Sequence, residues 1–260
     1  MARHDVHAVD AAGRRRRPDP VTGAPPRRPR PRSVVDLTHV LTPDFPAWPG
    51  DRPFEIHLVS RFDPAGGEFF ANELALHEHT GTHIDAPAHA SLGGITVERI
   101  DPRDLVVPIA VIDIAARAAQ DPDTLLGVRD ILTLEREHGA LPERCLVALH
   151  SGWAARVSTP GAFTNADADG VHHTPGFDPA AVQFLVRERN IVGIGTDTLT
   201  VDAGRSADYG AHVGVLGAGK YAVEVLANLD KIPPVGATVV VGAPTHAGGS
   251  GGPCRVFALL

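Results

Sequence analysis

His79-Thr80-Gly81-Thr82-His83-Ile84-Asp85-Ala86-Pro87-Ala88-His89 gathers three imidazoles and a carboxylate into eleven residues. His79, His83 and Asp85 stand at i, i+4 and i+6, and His89 follows four residues later. A helical zinc-protease motif carries two histidines on one face with a glutamate between them. Here Gly81 interrupts the segment and Pro87 would break a helix. The stretch therefore reads as a turn feeding a short extended run. In such a run His83 and Asp85 point to the same side, and a turn at Gly81 brings His79 round to join them. Two imidazoles and a carboxylate suit Zn²⁺, Mn²⁺ or Fe²⁺ and leave positions open for water. A single histidine in a strand is more often a packing or surface residue than a ligand. Three with an aspartate, punctuated by Gly and Pro, make a metal-site pattern.

Outward from this segment the pattern is α/β, with many strands and few helices in one domain. Val34–Leu37 reads as a first strand, and Phe54–Val59 and Asn72–His77 alternate as half-buried strands do. Val106–Ile114, Leu146–His150, Ile191–Gly195, Thr238–Gly242 and Arg255–Leu260 are further strands, several of them rich in β-branched residues. Gly127–His138 reads as a helix stopped at Gly139. A second helix starts at Asp178-Pro179, an N-cap followed by a first-turn proline, and runs to about Arg189. Residues 158–177 are dense in Gly, Pro, Asn and Asp, which predicts a long functional loop.

Composition narrows the function classes. The chain has 260 residues and 43% apolar residues, enough for one sizeable core. Its two cysteines, Cys145 and Cys254, make neither a disulfide framework nor a thiolate zinc site, and they fit a reducing, cytoplasmic setting. No apolar run reaches the roughly 18 to 20 residues that span a bilayer. Residues 1–32 carry nine arginines against three aspartates, while the whole chain is −7. We expect a Pro/Arg-rich disordered tail over 1–32 and a folded, acidic domain over 33–260. An acidic body argues against nucleic acid as a partner. Arg14–Arg17 is followed by Pro18-Asp19-Pro20, not by the apolar stretch of an export signal.

The histidine segment resembles the H-x-G-T-H-x-D-x-P-x-H signature of the cyclase-like metal-dependent hydrolases, the family of bacterial kynurenine formamidase and isatin hydrolase. His79, Gly81-Thr82-His83, Asp85, Pro87 and His89 match every fixed position. Asp36-Leu37-Thr38, Trp48-Pro49-Gly50-Asp51, Gly195-Thr196-Asp197-Thr198 and Gly248-Gly249-Ser250-Gly251-Gly252-Pro253 extend the likeness over about residues 33–260. It implies a swivelling β/β/α-like domain with a mixed sheet, assembled as a homodimer. It also implies His79, His83 and Asp85 as metal ligands, joined by His212 and Glu224, for one or two Zn or Mn ions. By the same resemblance His89 is the general acid/base and Trp48 stands near a small-molecule substrate.

The implied reaction is hydrolysis of a C–N bond in a small amide or lactam, an aryl formamide in the formamidase branch. A metal lowers the pKa of bound water and supplies hydroxide, and an imidazole outside the ligand set returns the proton to the leaving nitrogen. The Gly-Gly-Ser-Gly-Gly-Pro ending, the long 158–177 loop and Ala90 after His89 depart from the compact formamidases. Isatin-type lactam opening is therefore the rival substrate reading. A metal-dependent cyclase or lyase would use the same residues without consuming water, and a metal-binding scaffold would have no use for His89. Asp197 reads either as an acceptor holding a ligand histidine or as a turn residue. His77, Glu78, His172, His173 and His246 read first as structural or peripheral.

Overall fold

The computed structural model describes residues 33–63, 66–67 and 69–260, so the expectations for the 1–32 tail lie outside the described residues. In chain order the strands are β1 (Val34–Asp36), β2 (Glu55–Ser60), β3 (Ala71–Ala75), β4 (His83–Asp85), β5 (Val106–Asp113), β6 (Leu125–Leu126), β7 (Cys145–His150), β8 (Gly176–Phe177), β9 (Ile191–Thr196), β10 (Tyr221–Glu224), β11 (Ala237–Gly242), β12 (Gly251–Pro253) and β13 (Arg255–Leu259). The helices are α1 (Ala115–Ala118), α2 (Val128–His138), α3 (Pro179–Glu188) and α4 (Gly210–Gly217).

Nine strands form one sheet in the order β1-β13-β11-β5-β7-β9-β10-β4-β12. Its centre, β5-β7-β9-β10, is parallel, and both flanks are antiparallel. Central strands covered on both faces need apolar residues at every position, which Cys145–Leu149 and Ile191–Ile194 supply. Side-chain alternation divides two cores. Ala110, Ile112, Val147 and Leu149 face the helices α2, α3 and α4. Val107, Ile109, Leu146 and Ala148 face the other side, where they meet Val239 and Val256 from one end of the sheet and Ile84 and Val223 from the other. Two distant ends can share a core only if the sheet is curled.

The Asp178 side chain accepts from Ala180 N at 2.9 Å and so caps α3, with Pro179 at its first position, as the sequence predicts. α2 ends where Gly139 takes φ +89°. α4 was not predicted, for a physical reason. Its sequence, Gly-Ala-His-Val-Gly-Val-Leu-Gly, has no polar stripe to mark a helical period: Ala211, His212, Val215 and Leu216 are buried, and the face left outside carries Val213 and glycines. Gly214 lets Val182 of α3 come close; a β-carbon there would stand 3.2 Å from its Cγ1.

One strand reading is corrected. β2 and β3 pair with each other and not with the main sheet, and neither is half-buried. Ile56, Leu58 and Val59 on β2 and Leu74 on β3 are all exposed, as are Phe62, Phe69 and Phe70 at the tip. The alternation is real, but this two-stranded ribbon has no second layer of the same chain against it among the described residues.

Candidate metal centre

β4 lies between β10 and β12, and its register builds the site. Glu224 is directly opposite His83, Ala222 is opposite Asp85, and Gly251 of β12 is also opposite Asp85. Cross-strand partners share a face, so His83, Asp85 and Glu224 project together. The turn before β4 requires glycine: Gly81 has φ +64°, and a β-carbon there would meet Leu41 Cδ2 at 2.3 Å. That turn folds His79 back until its Nδ1 lies 2.6 Å from Asp85 Oδ1. Pro87–His89 forms a single 3₁₀ turn that brings the His89 ring to 3.9 Å, centroid to centroid, from that of His79. α4 delivers His212 from the other side, its Nε2 3.4 Å from Asp85 Oδ2 and 3.2 Å from Glu224 Oε1.

Each imidazole is aimed by a bond on its far nitrogen. His83 Nδ1–H donates to the Gly81 carbonyl at 2.8 Å, which turns Nε2 toward Asp85 and Glu224 at 3.3 and 3.4 Å. His212 Nδ1–H donates to the Asp202 carboxylate at 2.6 Å, and Asp202 also accepts the Ala211 amide at 2.7 Å. For His79 the argument runs through Ser250. The Ser250 hydroxyl donates to Glu78 Oε2 at 2.6 Å, so at 2.9 Å it must accept from His79 Nε2–H. The Nδ1 of His79 is then the atom facing Asp85. Glu224 is held in turn by the Val201 amide at 2.7 Å. Such outer partners fix the orientation and basicity of metal-binding imidazoles.

The cluster calls for a cation. Asp85 is 0% and Glu224 4% exposed, and two carboxylates taken out of water need opposite charge beside them. Burial opposes charging His83, yet Asp85 and Glu224 outweigh it and raise its pKa to about 10. The same competition between burial and Glu224, helped by Asp202, raises His212 well above the ordinary imidazole range. Burial would raise Asp85 and Glu224, but the facing imidazoles hold both carboxyls down. His89 goes the other way, because burial lowers its pKa.

A divalent ion fits this donor set. His83 Nε2 and Asp85 Oδ2 are buried without a hydrogen-bond partner. Donor atoms of His83, Asp85 and Glu224 lie within 4.8 Å of one another, and so do those of His79, Asp85 and His89. Asp85 belongs to both groups.

A cavity of about 440 Å³ opens on the cluster, walled by Trp48, Leu199, Tyr209 and Val213 on its apolar side. All the predicted site residues therefore lie in or beside one place: His79, His83, Asp85, His212 and Glu224 converge, while His89 and Trp48 line the cavity. Sequence reading missed Asp202 and the bridging role of Ser250. Asp202 is ten residues before His212, a spacing that carries no motif. Glu78, with His246 at 2.5 Å, supports Ser250. Asp197 takes the structural role: it accepts from Ser151 N and Oγ and from Trp153 N, and it touches no ligand histidine.

A curled mixed sheet with a histidine–carboxylate cluster beside an apolar-walled cavity defines a metal-dependent hydrolase. The family model described as Putative cyclase matches residues 35–203. The isatin hydrolase of Roseibium aggregatum is 35% identical over 243 residues, covering 87% of this chain and 91% of that one. The kynurenine formamidase of Salinibacter ruber is 27% identical over 224 residues, 86% of this chain and 95% of that one. The structure of isatin hydrolase A from Labrenzia aggregata bound to benzyl benzoate superposes with a TM-score of 0.81 at 38% identity, covering 87% and 93%. The chain belongs to the cyclase family of metal-dependent hydrolases.

Proposed function

We propose that this enzyme hydrolyses the C–N bond of a small aromatic lactam or amide. His79, His83, Asp85, His212 and Glu224 hold one or two Zn or Mn ions, and His89 is the general acid/base. The convergence of four buried donors and the part-buried His79 beside a fourth imidazole, His89, that is open to the cavity carries this reading. A divalent ion there supplies a Lewis acid and lowers the pKa of coordinated water toward neutrality. His89, with its lowered pKa, is neutral near pH 7 and takes a proton from the attacking water. It returns that proton to the departing nitrogen. Trp48 offers a flat apolar face to the aromatic ring.

An isatin-type lactam is the preferred substrate. Among the described residues the cavity wall contains Asp51 and Asp208 but no lysine or arginine, so a neutral bicycle fits better than a substrate bearing its own carboxylate. The isatin hydrolases at 35% and 38% identity support this choice. An aryl formamide is the second reading, favoured by the sharing of Asp85 between two donor groups. We further propose a homodimer in which the apolar β2–β3 ribbon packs against a second copy. A cytoplasmic setting is supported by two buried cysteines that form no disulfide.

The test is turnover of isatin and formanilide by Mn- and Zn-loaded enzyme in ¹⁸O water, beside His83→Ala. Solvent oxygen in the product and loss of both metal and turnover in the variant are expected. Product without ¹⁸O would move the enzyme to the lyases, and full metal occupancy in His83→Ala would overturn the ligand set. Inactivity of fully metal-loaded wild type across lactams, formamides and lactones would favour a scaffold.

A further inference from the structure

The long loop ends in a small, closed hairpin over residues 164–173. Asn165, at φ +46°, donates from Nδ2 to His173 O at 2.7 Å and accepts from His173 N at 3.1 Å. Asp167 Oδ1 accepts the Asp169 and Val171 amides at 2.9 Å each, which fixes the tip. Two neighbouring histidines then point to different partners. His172 Nδ1–H donates to Thr164 O at 2.8 Å, and its ring stacks on Trp48 at 5.5 Å and 29°. Trp48, with Tyr209, forms the aromatic part of the cavity wall.

His173 lies between two carboxylates. Its Nδ1 is 3.0 Å from Asp123 and its Nε2 is 3.3 Å from Asp167. Carboxylates only accept, so both ring nitrogens donate and the ring is a cation. Arg205, 3.2 Å from Asp123, is the other charged group at this clasp. Hydrogen bonds to Asp123, then to Asp167, raise the pKa of His173. Asp167 belongs to the hairpin, but Asp123 lies between α1 and β6, so the clasp ties the hairpin to the body of the domain.

We propose that His173 is a positioning residue for substrate affinity: clasped between Asp123 and Asp167, it fixes the hairpin that presents His172 to Trp48. The ligand class is a planar aromatic compound stacking on the indole, which rests on the function proposed above. None of the metal-cluster residues touches this clasp in the contacts just described. Its loss is therefore expected to change binding and not the chemical step.

His173→Gln and His173→Lys test this with two readouts. The first is Trp48 fluorescence, which needs no turnover; Trp48→Phe isolates it from Trp153, the other tryptophan. Stacked imidazole quenches Trp48, so His173→Gln should brighten it and His173→Lys, which keeps a cation, should not. The second is steady-state kinetics on isatin and formanilide. His173→Gln should raise KM about three- to ten-fold with kcat within about two-fold, the scale of a solvent-screened charge-assisted contact. Wild-type KM should climb as pH rises through the raised His173 pKa, because the clasping form is the charged one. That step should vanish in both variants, with low KM retained in His173→Lys. Unchanged Trp48 emission in His173→Gln would overturn the proposal, as would a fall in kcat with loss of metal. If neither compound is turned over, the proposed substrates fail, and the fluorescence still decides the clasp.

Discussion

Replacing Asp202 by asparagine perturbs chiefly the aim of His212, with the long bond from the His212 amide, 3.3 Å, lost beside it. In the native site one oxygen of Asp202 accepts the Ala211 amide at 2.7 Å and the other accepts His212 Nδ1–H at 2.6 Å. The asparagine carbonyl keeps the first bond. Its NH₂ then opposes an N–H, so the ring must shift its proton to Nε2. That proton would point at Glu224 Oε1, 3.2 Å away, where a lone pair is needed for a metal. Losing such an outer partner weakens metal binding about 10- to 100-fold, or about 1.4 to 2.8 kcal/mol. The helix-terminal charge effect on α4 adds about 0.3 to 1 kcal/mol of lost stability, roughly 1 to 4 °C in Tm for a chain of this size. Chelator-competition titrations with Mn²⁺ and Zn²⁺ measure the first quantity, and melting of the metal-free chain measures the second. Wild-type metal affinity in Asp202→Asn would refute the reasoning, because His212 would then be a ligand that needs no orienter or no ligand at all.

Four further outcomes follow from the geometry. His89→Ala should keep its metal and lose about 100- to 10,000-fold in kcat; metal analysis beside turnover separates this role from ligation. Burial lowers the His89 pKa, and the base must be neutral, so kcat/KM should rise with pH along an acid limb centred below the ordinary value of about 6.5; a midpoint above that value would contradict the assignment. Gly251→Ala should cost about 1 to 3 kcal/mol of stability and empty the site, since its β-carbon would meet Ile84 O at 2.3 Å and His79 Cε1 at 2.7 Å; calorimetry and metal content check it. Ser250→Ala should weaken metal binding about ten-fold by freeing His79 Nε2, with the fold intact by circular dichroism.

Legibility in the sequence followed local physics. The central strands were readable because burial on both faces leaves no room for polar residues, and α3 because Asp178-Pro179 caps it within two positions. The β2–β3 ribbon misled, since alternation specifies two faces without saying whether anything covers one of them. α4 gives no signal because its exposed positions are Val213 and glycines, so the outer face carries no polar residue to mark an amphipathic period. Asp202 and Ser250 were missed because an outer partner needs only one oxygen in the right place, which many spacings can deliver.

By itself the sequence determined the chemistry of the first donors. Gly81, the His83–Asp85 pair and Pro87 dictate a turn, a two-residue-period extended run and a stop, so His79, His83 and Asp85 converge through short-range geometry alone. What only the tertiary structure decided is everything that crosses the sheet. The β4–β10 register sets Glu224 opposite His83, α4 brings His212 against Asp85, and the residue leading into β12, Ser250, reaches His79. Those contacts span more than a hundred residues of chain, and no local preference of φ and ψ encodes them. They exist because the curled sheet must close its apolar core, and that closure brings the two halves of the donor set together.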